Sequence, residues 1–213
     1  MLDYSYNVEW FRTPGYITLE VPDVVKDEVR ESLNNLDESK AKDYRKFLAG
    51  HVEKEYEIDI GPNFTYLVES LSYNYEEKFC IPNKFSIIKN GTKNNMSYVL
   101  DTTWVNFSKK YDFNPIHSHS GVYSFVLWVQ VPYLFEEEQK RYNPNGNVTG
   151  NFCFSYLTGL GDIAQLPLPV DKTWEWILAF FPATLKHSVH PFYSSDDYRI
   201  SISGNIKIEP NNE

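Results

Sequence analysis

Val122-Tyr123-Ser124-Phe125-Val126-Leu127-Trp128-Val129-Gln130-Val131 belongs to a set of short, β-rich apolar runs that fills the chain after Pro82. The other runs are Phe85–Lys89, Ser97–Phe107, Asn151–Leu157, Trp174–Phe181 and Tyr198–Ile208, with shorter pieces at Pro115–His119 and Leu185–His190. Turn residues separate them and no helical periodicity intervenes. About eight short strands in this arrangement predict a mainly β domain, a sandwich or barrel, and eight is the strand number of a jelly roll.

Working outward, the first third reads differently. Tyr16–Val21 alternates weakly and predicts a short opening strand. Asp23 then stands as N-cap to an amphipathic helix from Val24, with Val25, Val29 and Leu33 four apart. Further helices are expected over Ser39–His51, with Tyr44, Phe47 and Leu48 on one face, and over Asn63–Tyr75, with Phe64, Leu67, Val68 and Leu71. The expectation is one domain spanning 1–213: a mostly helical part (1–79) supporting a jelly-roll core (80–213). The longest interruption of the β region, Pro132–Gly150, reads as either a lid or a solvated hairpin excursion.

Composition excludes several classes. With 42% hydrophobic, 16% aromatic and 23% charged residues in 213, the chain is too apolar for a disordered protein. No apolar run approaches the ~20 residues of a membrane-spanning helix. A net charge of −9 and the lack of a Lys/Arg stripe make a nucleic-acid partner a poor expectation. Met1–Trp10 has no basic-then-apolar leader pattern, and Cys80 and Cys153 form no CxxC, so a reducing cytoplasm is expected. Asn-x-Ser/Thr triplets at Asn63, Asn90, Asn95, Asn106 and Asn147 reflect Asn-rich composition.

Four of the five histidines lie in the later half, at His117, His119, His187 and His190. On a strand, His117 and His119 project to one face, as two ligands of one metal would. His187 and His190 are three apart and face opposite ways, so only one can join them. Along Tyr198–Ser203, alternation puts Arg199, Ser201 and Ser203 on one face and Ile200 and Ile202 on the other. A buried guanidinium needs an anion, either a bound carboxylate held as a bidentate pair or an internal partner such as Asp196 or Asp197.

These residues resemble the 2-oxoglutarate- and Fe(II)-dependent oxygenases, built on a double-stranded β-helix. Trp104-Val105-Asn106, Asn114-Pro115-Ile116-His117-Ser118-His119 and Ser120-Gly121-Val122-Tyr123 look like the region of the first two metal ligands. Phe181-Pro182 to His187, followed by Arg199-Ile200-Ser201, looks like the distal ligand and the co-substrate anchor. The resemblance spans roughly 80–208 and is greatest to small, often phage- or bacterium-encoded members of unassigned substrate. It implies Fe(II) bound by His117, His119 and His187, with 2-oxoglutarate held by Arg199, Ser201 and Asn106. Trp104 and Tyr123 would wall the pocket, and Asn114 would serve either as a further hydrogen-bonding group or as turn chemistry before Pro115. The implied reaction hydroxylates an unidentified substrate and releases succinate and CO2.

One departure is visible. The family's common pattern is His-x-Asp/Glu, and His119 occupies the carboxylate position. Either three histidines bind the iron, or Asp101 or Asp112 completes the set, or the site takes another metal or none. Two alternative functions remain open: a three-histidine, cupin-like metal dioxygenase that ignores 2-oxoglutarate, and a jelly-roll binding protein without catalysis. The substrate classes are protein side chains, small molecules and, last, modified nucleobases.

Overall fold

The computed structural model describes residues 15–79, 96–141 and 148–210. The predicted strand Phe85–Lys89, Cys80, the triplets at Asn90, Asn95 and Asn147, and the Met1–Trp10 start lie outside the described residues. The order is β1 (Ile17–Glu20), α1 (Asp23–Asn34), β2 (Lys54–Glu57), α2 (Pro62–Phe79), β3 (Met96–Ser108), β4 (Asn114–His117), β5 (Tyr123–Gln130), α3 (Phe135–Arg141), β6 (Phe152–Leu157), β7 (Ile163–Leu168), β8 (Ile177–Pro182), β9 (Lys186–Val189) and β10 (Arg199–Pro210). Single 3-10 turns occupy Arg45–Phe47 and Lys172–Trp174.

The strands pair antiparallel into a six-stranded sheet, β1-β8-β5-β10-β3-β2, and a four-stranded sheet, β4-β9-β6-β7. This is a mainly β, jelly-roll architecture with helical support. Period-two alternation explains how two cores form. On one side of the large sheet, Tyr123, Phe125 and Leu127 of β5, with Ile202 and Ile206 of β10, pack on Val25 and Val29 of α1 and on Phe64, Val68 and Tyr75 of α2. On the other side, Val126 and Trp128 of β5 meet Phe152 and Phe154 of β6 and Phe181 of β8. The second core fills the space between the sheets, and the candidate site lies there.

Four local expectations change. Pro22, not Asp23, is the N-cap of α1, and Asp23 in the first turn pairs with Lys26 at 3.2 Å. The expected helix over Ser39–His51 is a single 3-10 turn, because its backbone is drawn into the sheet: Tyr44 N–H donates to Glu55 O (2.8 Å), Glu57 N–H to Lys42 O (3.0 Å) and His51 N–H to Phe113 O (2.8 Å). The Asp43 carboxylate also takes the Arg45 N–H and guanidinium, a local bond that competes with helix. The 1–79 part therefore adds the unexpected strand β2 to the sheet, besides its helices and the expected opening strand β1. Within Pro132–Gly150 the chain forms α3, which is docked onto the fold: the fully buried Glu138 carboxylate accepts the Tyr193 and Ser194 N–H groups at 3.0 and 2.7 Å. Among the described residues, no helix is long and apolar enough to cross a membrane.

Candidate metal centre

His117 closes β4 and is the register partner of His187 on β9. Side chains directly opposed across an antiparallel pair stand about 5 Å apart at Cβ, and these two rings lie with centroids 4.3 Å apart. His119 lies beyond the strand end, so strand alternation is not what brings it in. Its N–H donates to Ala183 O at 2.8 Å, which turns the chain back over the site. The turn then requires Gly121, whose φ is +98° and where a Cβ would meet the Ile206 carbonyl oxygen at 2.7 Å.

The three imidazoles each offer a nitrogen, and these atoms all lie within 4.8 Å of one another. His119 Nε2 and His187 Nε2 are 3.2 Å apart. A metal bonded to imidazole nitrogens at about 2.1 Å sets two such atoms about 3 Å apart at right angles. His117 Nδ1 donates to Pro115 O (2.7 Å) and His187 Nδ1 to Leu185 O (2.9 Å). Carbonyl oxygens only accept, so both rings turn a bare Nε2 lone pair inward, the tautomer a ligand needs.

Electrostatics agree. Burial, reinforced by the nearby His117, lowers His187 to about 3 against the opposing Leu185 carbonyl. Burial and His117 lower His119 to about 4. Burial also lowers His117, with Pro115 O opposing and Lys186 assisting. At neutral pH all three are neutral and available to a cation.

Neither distant carboxylate joins them. Asp101 pairs with Lys207 at 2.9 Å, and Asp112 accepts the Glu53 and Lys109 N–H groups at 2.9 and 2.8 Å. Among the described residues, the group that could hold a metal is His117, His119 and His187. His190 stands apart, its Nε2 3.4 Å from Ser188 Oγ.

The same narrow cavity is lined by Arg199, Ser201, Ser203, Asn106, Asn114 and Trp104. Arg199 is 3% exposed. Its Nη1 donates to the Tyr133 hydroxyl (3.1 Å) and His190 O (3.2 Å), and its face lies over the Phe192 ring. Its Nη2 is buried and has no partner. The internal ion pair with Asp196 or Asp197 is not formed; Asp196 pairs with Lys110. An unpaired buried guanidinium nitrogen facing a cavity fits an anionic ligand. Asn106 Nδ2 donates to Ser201 Oγ at 3.2 Å, which orders the wall beside it.

Trp104 lines the cavity, against His119 and stacked on Tyr44. Tyr123 does not. It faces the helices, packed on Tyr75, Tyr98 and Phe180. The turn at Gly121 separates the two histidines from β5, so a residue close to them in sequence need not share their cavity. Sequence reading also misses Tyr133, the hydroxyl on Arg199, and Leu48 and Phe152 in the cavity wall. No local pattern marks Tyr133, because its partner Arg199 comes from a distant strand.

Residues 102–205 match a family model described as "Putative 2OG-Fe(II) oxygenase". The fold is similar to a prolyl-4-hydroxylase from Pseudomonas putida, at 15% identity and TM-score 0.52, covering 94% of this chain and 95% of that one. It is also similar to an oxidoreductase of the 2OG-Fe(II) oxygenase family from Burkholderia pseudomallei, at 10% identity and TM-score 0.50, covering 91% and 84%. The matched stretch 102–205, just under half of the chain, is similar to the 2-oxoglutarate- and Fe(II)-dependent oxygenases. Such an oxygenase is an enzyme of the oxidoreductase class, and the family implies Fe(II) and 2-oxoglutarate. The two solved structures speak to the fold, since their identities to this chain are low. No curated protein matches the chain.

Proposed function

We propose that residues 1–213 form one oxygenase unit that hydroxylates a protein side chain or a small molecule, consuming 2-oxoglutarate and releasing succinate and CO2. His117, His119 and His187 would hold Fe(II), and Arg199, beside Ser201 and Asn106, would receive the far carboxylate of 2-oxoglutarate. The observation that carries this reading is the orphaned Nη2 of Arg199, buried in the cavity that the three histidines also line. A cupin-like dioxygenase without 2-oxoglutarate, or a binding protein without chemistry, leaves that charge unexplained.

Fe(II), when bound, supplies the oxidation, coupling decarboxylation of the 2-oxoacid to attack on the substrate. The chain's own residues prepare for it. The Pro115 and Leu185 carbonyls fix the tautomer and aim of two ligands. Three neutral ligands leave the cation's full charge available to anionic co-substrate, one negative charge less than a carboxylate set would allow. Tyr133 holds the Arg199 guanidinium in place, which pre-sets the reach of 2-oxoglutarate. Trp128, Phe152 and Phe181 line the cavity with apolar surface and keep water out. Cys153 is a buried thiol that burial raises to about 11.

The test is succinate production from 2-oxoglutarate in air. Fe(II)-dependent succinate, abolished by chelation and in His117→Ala, is the expected result. Folded protein that takes up Fe(II) and 2-oxoglutarate yet yields no succinate with any substrate pool would refute hydroxylation.

A further inference from the structure

Glu55 has no role in the reading above, yet it is a carboxylate buried without a partner. It is 1% exposed, and both carboxylate oxygens are buried without a partner. Its place follows from register. Glu55 on β2 is the cross-strand partner of Asn106 on β3, and Glu57 that of Trp104. Asn106 and Trp104 line the cavity, whereas Tyr56, the intervening residue, turns to the helical core beside Phe107. Glu55 therefore shares the face of the sheet that forms the cavity, one strand and roughly 5 Å outward from Asn106. The segment beside it belongs to the same wall: Tyr44 N–H donates to Glu55 O, the Tyr44 ring stacks on Trp104, and Leu48 lines the cavity.

Among the described residues, the surroundings offer this carboxyl no free cation. Arg45 is the near guanidinium, but its Nε and Nη2 are taken by Asp43 and its Nη1 by Glu53 O. Asp43 and Asp112 add negative potential at the same place. Two acceptor oxygens, a surplus of negative charge and no internal donor describe a receptor for a positively charged hydrogen-bond donor.

We propose that Glu55 is a specificity-determining residue of this oxygenase, and that it receives a primary ammonium or guanidinium group of the substrate at the Leu48–Trp104 edge of the cavity. The substrate class is then an amine- or guanidine-bearing compound, either a free amino compound or a lysine or arginine side chain of a protein. This rests on the proposed function and narrows its substrate. Burial, with Asp43 and Asp112 adding to it and Arg45 opposing, raises Glu55 to about 7, so a cation arriving near neutral pH displaces its proton.

The experiment is calorimetric binding to the Zn(II)-loaded protein with 2-oxoglutarate present, using four free probes and one peptide. The probes are L-lysine, L-arginine and their neutral counterparts norleucine and citrulline; the peptide is a short lysine- and arginine-containing sequence. The expected result is that a cationic probe binds at least tenfold more tightly than its neutral counterpart, and that Glu55→Gln removes this preference. Binding by free amino acids points to a small amino compound, and binding by the peptide alone points to a protein side chain. In wild-type protein near pH 6.5, repeating the titration in buffers of different ionisation enthalpy should show proton release on cation binding, a readout that needs no variant. Equal or absent binding of cationic and neutral probes overturns the proposal, as does a preference that survives in folded Glu55→Gln. The 2-oxoglutarate titration of the same sample keeps the two readings apart: if 2-oxoglutarate binds and no cation preference exists, only the role of Glu55 fails.

Discussion

Replacing Arg199 with methionine keeps most of the apolar stem and removes the charge. Two opposite effects follow from its surroundings. In the metal- and co-substrate-free protein, the guanidinium donates two hydrogen bonds, to Tyr133 and to His190 O, and leaves Nη2 buried and unpaired. Losing the bonds costs about 1 kcal/mol each, while removing an uncompensated buried charge returns a comparable amount. Tyr133 keeps a partner, because its hydroxyl also donates to Gly150 O at 3.0 Å. The free protein should therefore change stability by no more than about 1 kcal/mol, or about 2–4 °C in Tm for a domain of this size. Binding of 2-oxoglutarate should suffer far more. Hydrogen bonds to charged groups contribute about 1.5–3 kcal/mol, and truncating one partner of a buried charged pair costs about 2–5 kcal/mol. Taking about 3 kcal/mol, the dissociation constant rises about 150-fold. The assay is thermal denaturation with and without 2-oxoglutarate, on protein carrying Zn(II). At a hundredfold excess over its dissociation constant the ligand stabilises wild type by about 2.7 kcal/mol, and the same concentration should leave the variant nearly unmoved. The reasoning is refuted if the variant binds 2-oxoglutarate within threefold of wild type. It is also refuted if the ligand-free variant loses several kcal/mol, because Arg199 would then be holding the fold and not awaiting an anion.

Tyr133→Phe removes only the hydroxyl that positions the guanidinium, so 2-oxoglutarate binding should weaken about five- to tenfold, measured by calorimetry. Tyr123→Phe, on the helical side of the large sheet, should leave that dissociation constant within twofold in the same titration. Phe64 is fully buried against Phe125, and Phe64→Ala should cost about 3–5 kcal/mol in urea denaturation. Glu55 ionises near 7 when folded and near 4.5 when unfolded, so the stability of its neutral form is full below about 4.5 and is lost as pH rises through 7. Glu55→Gln has no such loss, and its advantage over wild type should grow by about 2–3 kcal/mol between pH 5 and pH 8. An advantage that stays flat with pH would mean the Glu55 carboxyl is solvated.

Much of the fold is legible in the chain because its long strands carry their burial in their own residues. Val122–Val131 and Tyr198–Ile208 alternate between two apolar faces or between polar and apolar ones, and they become the neighbouring strands β5 and β10. The strands that escape notice are those whose stability comes from their partners. Lys54–Glu57 is a charged edge strand, and Ile163–Leu168 carries Pro167 and several exposed residues. Tyr44 and Leu48 have helical spacing, but pairing with β2 outweighs it. In the site, His-x-His and the Arg-x-Ser strand are local patterns, but choosing His187 over His190 and giving Arg199 an anionic ligand rest on the family resemblance. Tyr133 and Glu55 cannot be read from spacing, because what distinguishes them is the residue they meet across the fold: Arg199 for one, and, among the described residues, no free cation for the other. Tyr123 shows the opposite limit. It lies close to the histidines in sequence, but the left-handed turn at Gly121 intervenes and it does not share their cavity.

The central claim is that three histidines and Arg199 assemble one iron and 2-oxoglutarate site. Anaerobic titration of metal-free protein with Fe(II) and then 2-oxoglutarate, followed by visible absorption, tests it most directly. A metal-to-ligand charge-transfer band should appear only when both are present, at one equivalent of each, and should be absent in His187→Ala. Well-folded wild-type protein that shows no band with both components would contradict the account.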